Sequence, residues 1–142
     1  MNTPKTHTTN YQNTFITIAK TCNLTAAVIP IIKGNKKTIA NLQFYYLYNN
    51  PYLYTSDELL FLIFALRNNI ANVNIAQAKT TFFSKGQPCM RASPLGKTHG
   101  WGVHFNNIAK MAIYGIETPE YHTCVNNIAI KKWAAMGTKR AY

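Results

Sequence analysis

The chain has 142 residues, 47% of them hydrophobic, with 15 lysines and arginines against four acids and a formal net charge of +11. That length supports one hydrophobic core and is short for two, so a single domain over 1–142 is expected. The four acids, Asp57, Glu58, Glu117 and Glu120, leave no spare carboxylate pair for glycosidase-like chemistry and no acidic cluster for magnesium or calcium.

The polar start, MNTPKTHTTNYQNT, lacks the apolar core of a signal peptide, and its first ten residues are expected to be flexible. Cys22, Cys89 and Cys124 are odd in number and widely spaced, which fits reduced thiols and a cytoplasmic protein. The most crowded apolar stretch, 59–66, falls far short of the roughly 20 residues of a membrane span, so no membrane partner is expected. The segment TFITIA at 14–19 is β-branched and roughly alternating, the pattern of a strand. An apolar stretch at 26–32 around Pro30 follows, then a polar turn at 33–37. From Thr38, a candidate N-cap, the spacing of Ile39, Leu42 and Tyr46 with Leu47 is helical, although the crowded aromatics also suit a strand; Asn49-Asn50-Pro51 stops the element.

Thr55-Ser56-Asp57-Glu58 has the form of a capping box opening a helix to about Arg67, apolar nearly all round and so expected to be the buried central helix. A short helix at 72–83 and a loop at 84–100 follow. Strands at 101–105 and 110–116, joined across Asn106-Asn107, form a hairpin. Thr118-Pro119-Glu120 starts a helix to about Asn127. The tail from Ile130 to Tyr142 is expected to be helical at first, with Gly137 as its stop and a flexible basic end at 137–142. Together these elements predict an α+β fold, a small antiparallel sheet with a hairpin near 101–116 packed against several helices.

The chemistry-bearing residues concentrate in FFSKGQPCMRASPLGKTHGWGVHF, 82–105. Gly86, Gly96, Gly100 and Gly102 match neither the dinucleotide nor the phosphate-loop spacing, and Cys89, His99, His104 and His122 match no metal spacing, so no cofactor or metal is expected. Two function classes remain. One is a binding module whose groove is formed by Lys85, Gln87, Arg91, Ser93 and Lys97 and walled by Trp101 and His104, taking a small phosphorylated or carboxylated ligand or nucleic acid. The cations are spread along the chain rather than gathered in one run, so charge alone does not choose between those ligands. The other is a thiol-dependent enzyme in which Cys89 attacks, His104 or His99 moves the proton, and Arg91 or Lys85 stabilises developing charge. A packed, inert Cys89 is the alternative to that role. Strand alternation places Trp101, Val103 and Phe105 on one face and His104 on the other. Arg91 and His104 are expected to open into one pocket with Cys89 behind them.

Several segments carry a resemblance: His7-Thr8-Thr9-Asn10-Tyr11, Lys37-Thr38-Ile39-Ala40, Asn50-Pro51-Tyr52 with Tyr54-Thr55-Ser56-Asp57, and above all 83–95 followed by Gly100-Trp101-Gly102-Val103-His104. In these the chain resembles the small bacterial family of uncharacterised proteins catalogued as DUF6157, over nearly its whole length. The resemblance implies no activity. Where such proteins tend to read acidic-acidic-Gly-Lys at the hairpin turn, this chain has Asn107-Ile108-Ala109-Lys110.

Overall fold

The computed structural model describes residues 6–138. Four strands form one open sheet in the order β3-β2-β1-β4, where β1 is Thr14–Thr17, β2 Trp101–Phe105, β3 Met111–Gly115 and β4 Lys131–Ala134. Five helices complete the α+β fold: α1 (Ile39–Asn49), α2 (Ser56–Arg67), α3 (Ile75–Phe83), α4 (Pro94–Lys97) and α5 (Pro119–Asn126). None of them is long and apolar enough to cross a membrane.

The helix starts are built from local chemistry. Thr38 and Thr55 each accept a hydrogen bond from the backbone N–H three residues on, and Asn41 and Glu58 reach back to the cap residues' own N–H groups. Reciprocal bonding of this kind satisfies two donors that a helix start otherwise leaves open. Glu58 also pairs with Lys110 at 2.9 Å, tying α2 to the hairpin turn. The neighbouring Asp57 carboxylate accepts from the Thr8 hydroxyl and from both the backbone N–H and hydroxyl of Thr9, while Asn10 accepts from the Asp57 N–H. These bonds join residues 8–10 to the start of α2. Residues 1–5 and 139–142 lie outside the described residues.

The sheet divides the core in two because alternate strand residues point to opposite faces. Ile16, Trp101, Val103, Phe105, Met111 and Ile113 face one way, against Leu47 of α1, Leu59 and Ile63 of α2, Met90, and Leu95 of α4. Phe15 faces the other way, against Tyr121 and Cys124 of α5. Gly102 lies between these two rings: a Cβ there would stand 2.4 Å from Phe15 Cζ and 2.7 Å from Tyr121 Cε2.

Three expectations need correction. The tail does not begin as a helix. Its residues Lys131–Ala134 form β4, parallel to β1 with Thr14 opposite Lys131 and Thr17 opposite Ala134, so the sheet is mixed rather than antiparallel throughout. An edge of β1 left bare would carry unpaired peptide groups, and the four-residue strand covers it. The loop at 84–100 contains a 3₁₀ turn at Met90–Ala92 and the short helix α4, capped by Ser93. Finally, α2 is not buried all round: Ser56, Leu59, Phe61 and Ile63 are buried, whereas Leu66 is exposed.

The hairpin turn carries strain that a single substitution should release. Ala109 is buried with φ of 64°, the left-handed region that disfavours a Cβ. Ala109→Gly is expected to stabilise the protein by about 1 kcal/mol, the left-handed penalty less the extra unfolded-state entropy of glycine. A urea midpoint unchanged or lowered in that variant would contradict the assignment of strain.

Candidate functional site: an apolar cavity with an amide floor

Between α1, α2 and the segment 87–94 lies a cavity of about 610 Å³. Its walls are largely apolar: Leu60, Ile63 and Phe64 from α2, Ile39 from α1, Phe82 from α3, then Pro88, Ala92 and Pro94. Leu60 and Phe64 explain why α2 is apolar on nearly every side, since one face packs on the sheet and the next lines this space.

Two polar side chains, Gln43 and Ser93, form the floor, and both are more than nine-tenths buried. The Ser93 hydroxyl oxygen accepts from the Leu95 N–H at 3.1 Å as the cap of α4. Its proton is then free to be donated, and Gln43 Oε1 accepts it at 2.5 Å. In this arrangement the amide oxygen is engaged, and Nε2 makes no hydrogen bond to another group among the described residues. No fully buried side-chain nitrogen or oxygen among the described residues is without a partner, so Nε2 keeps some exposure, and Gln43 lines the cavity.

Charge at the mouth has one sign. Arg67, at the end of α2, lines both this cavity and an adjoining one of about 630 Å³ bordered by Lys36, Lys37 and Thr38. On the other side, a space of about 390 Å³ shares Phe64, Phe82 and Gln87 with the first and adds Lys85. No carboxylate lines any of the three. The acids are engaged elsewhere, Asp57 and Glu58 at the start of α2 and Glu117 with the Ala27 N–H, while Glu120 lies in the first turn of α5.

The residues expected from the sequence to share one site are divided between places. Gln87, Cys89 and Ser93 line the central cavity, and Lys85 borders its neighbour. Gln87 also donates to the Phe82 carbonyl at 2.7 Å, which holds it in the wall. Arg91 points to the sheet edge, where its Nε donates to the Ala134 carbonyl and its guanidinium lies 5.1 Å from the Trp133 ring centre. Lys97 lines none of these three cavities. Trp101 is a core anchor, donating to the Val28 carbonyl at 2.8 Å and packed by Phe44 and Tyr48, so it is not a wall of the groove. Arg91 and His104 do not open into one pocket, because strand alternation sends His104 to the α5 side of the sheet. Gln43 and Arg67 were absent from the sequence-based set. The apolar surround of α2 was a signal for Arg67 at its end, whereas Gln43, on α1, had none.

Cys89 has a tyrosine for a neighbour rather than a histidine. Its Sγ accepts from the Tyr11 hydroxyl at 3.3 Å, and burial, then the Cys89 contact, pushes the Tyr11 phenol up to about 12. His99 is occupied beside α4, with Nδ1 2.9 Å from the Thr98 hydroxyl and 3.0 Å from the Pro94 carbonyl. Among the described residues no three His, Cys, Asp or Glu side chains gather closely enough to hold a metal ion.

His104 belongs to a separate hydrogen-bond chain. Tyr52, held at φ of 59°, places its hydroxyl 2.7 Å from His104 Nδ1 and 2.8 Å from the Tyr114 hydroxyl. Burial raises the Tyr52 pKa and lowers that of His104 below its ordinary value. The unfolded chain therefore takes up a proton near pH ~6.5 that the folded chain refuses. Stability is full above that pH and falls as pH drops through the unfolded value toward the folded one. A urea midpoint that declines between about pH 7 and about pH 5, with the decline flattened in His104→Asn, is the expected result; an identical decline in the variant would exclude His104 as its source.

Mixed sheet, two helical layers and an amide-floored cavity define an α+β protein with a concave apolar site on one side of its sheet. A model of the family of unknown function DUF6157 matches residues 6–141, and the chain belongs to that family. No curated protein and no solved structure matches it.

Proposed function

We propose that the protein is a binding module for a small molecule with an apolar body and one carboxylate or phosphate group. The observation that carries this reading is the buried Gln43 amide, bonded through its oxygen to Ser93 and lining an apolar cavity. A cavity of about 610 Å³ falls in the range of small-molecule sites, which combine apolar walls with a few fixed polar groups. Arg67, Lys36, Lys37 and Lys85 give the surroundings a positive potential that no nearby carboxylate cancels, favouring an anionic head. Of the loop residues singled out in the sequence, Gln87 and Ser93 shape the cavity and Lys85 flanks it. The chain acts as one domain, its last strand hydrogen-bonded to its first.

Calorimetric titration with decanoate, decanol and decyl phosphate tests the reading. The two anions are expected to bind and the alcohol to bind at least about tenfold more weakly, since hydrogen bonds to charged groups contribute about 1.5–3 kcal/mol. Affinity should change little with salt, unlike a polyanion contact, whose affinity falls steeply. Equal binding of alcohol and carboxylate, or no binding of any of the three, defeats it.

A further inference from the structure

A second surface carries its own functional implication, sharing Lys36 and Lys37 with the surroundings of the cavity. Residues 28–32, Val-Ile-Pro-Ile-Ile, form an exposed loop in which Ile29 is 65% and Ile31 76% exposed, with Val28 and Ile32 also turned outward. Ile39, Ile108 and Ile128 are exposed too, but each stands apart, whereas four of the five residues here expose apolar side chains in one run. Nor is the loop slack. The Val28 N–H donates to the His99 carbonyl, the buried Trp101 indole donates to the Val28 carbonyl, and the buried Asn41 amide donates to the Pro30 carbonyl at 2.9 Å. The inward-facing peptide groups are braced from beneath, and the isoleucines are held out.

The surroundings of the loop narrow the choice of occupant. Lys33 and Lys36 bridge across the turn that follows it, Lys37 lies 5.9 Å from the ring centre of the exposed Tyr45, and Tyr48 stands exposed on the same helix. Lysines outnumber acids here, with Lys33, Lys36 and Lys37 set against Glu117, which accepts from the Ala27 N–H beside the loop. A nucleic acid would meet the lysines but offers no apolar medium for the isoleucines. A second copy docked on the same loop would set lysine against lysine. A bilayer surface rich in anionic lipid satisfies both features, taking apolar side chains below the headgroups and lysines at their level, with tyrosines at the boundary.

We propose that loop 28–32, with Lys33, Lys36 and Lys37, docks the protein peripherally on an anionic membrane surface. This departs from the expectation of no membrane partner, which considered spanning segments alone. It requires no spanning segment and no ligand in the cavity.

Co-sedimentation with vesicles tests it, using phosphatidylcholine alone and phosphatidylcholine with about 30% phosphatidylserine. The protein is expected to sediment with the anionic vesicles and to remain largely in solution with the neutral ones. Ile29→Asn combined with Ile31→Asn should weaken binding to the anionic vesicles at least about tenfold, since it removes the inserted apolar groups. The two side chains are exposed, so an unchanged melting temperature is expected and separates this loss from misfolding. Lys36→Glu with Lys37→Glu should weaken it as well. Binding by the isoleucine variant equal to that of the parent would reduce the effect to adsorption of a basic protein and overturn the proposal. So would absence of binding to either vesicle, or a dimer in vesicle-free buffer that the isoleucine variant dissociates.

Discussion

Gly102→Val is expected to destabilise the protein by about 3 kcal/mol or more, a large share of the total stability of a domain this size. The reason is geometric. Any Cβ at this position stands 2.4 Å from Phe15 Cζ and 2.7 Å from Tyr121 Cε2, both far inside van der Waals contact. Neither ring has room to retreat. Phe15 is fully buried on the central strand, and the Tyr121 hydroxyl is held by the Ile18 N–H at 3.0 Å. The two rings pack edge to face with centroids 5.0 Å apart, so moving one disturbs the other. Urea unfolding should show the loss in Gly102→Ala and a larger one in Gly102→Val, because valine adds two methyl groups to the same clash. Parent-like midpoints in both variants would mean that α5 does not close on the sheet as described.

Ser93→Ala is the second large effect, expected at about 2–4 kcal/mol from two losses at once. The α4 cap disappears, which costs about 1 kcal/mol, and the buried Gln43 oxygen loses its donor, which costs about 1–3 kcal/mol. The distinctive part is the rescue. Adding Gln43→Leu to Ser93→Ala removes the orphaned oxygen as well as its partner, so the double variant should recover about 1–2 kcal/mol relative to additivity. It should remain unable to distinguish decanoate from decanol, because the amide donors are gone. Simple additivity of the two substitutions would show that the Ser93–Gln43 bond is not formed in solution.

Much of the fold was legible because its determinants are local. Thr55 and Glu58 lie three residues apart and specify their helix start without reference to the rest of the chain, as Thr38 with Asn41 and Thr118 with Pro119 also do. The hairpin was legible for the same reason. β4 was not, since Lys-Lys-Trp-Ala has no strong period and becomes a strand only by pairing with β1, more than a hundred residues away. The site divides in the same manner. Gln87, Cys89 and Ser93 sit on a loop whose proline and glycine content marked it, whereas Gln43 and Arg67 lie inside helices where a glutamine or a terminal arginine attracts no notice. Grouping Trp101 with His104 failed on a rule already available: residues three apart on a strand point to opposite faces. Ala109 shows the reverse case. Nothing in Asn107-Ile108-Ala109-Lys110 announces a left-handed residue, yet Ala109 takes a φ of 64°, a conformation that glycine adopts at no steric cost.

The central claim is that the cavity between α1, α2 and 87–94 takes an apolar anion, and methyl resonances of the intact protein during titration with decanoate test it most directly. The Ile39, Leu60 and Ile63 methyl groups line the cavity and should shift in a saturable manner, while Ile29 and Ile31 on the exposed loop should stay in place. In Gln43→Leu the same titration should require at least about tenfold more ligand, the factor expected from losing a hydrogen bond to a charged group. Shifts confined to Ile29, Ile31 and the neighbouring tyrosines, with the cavity methyl groups unmoved, would contradict the account.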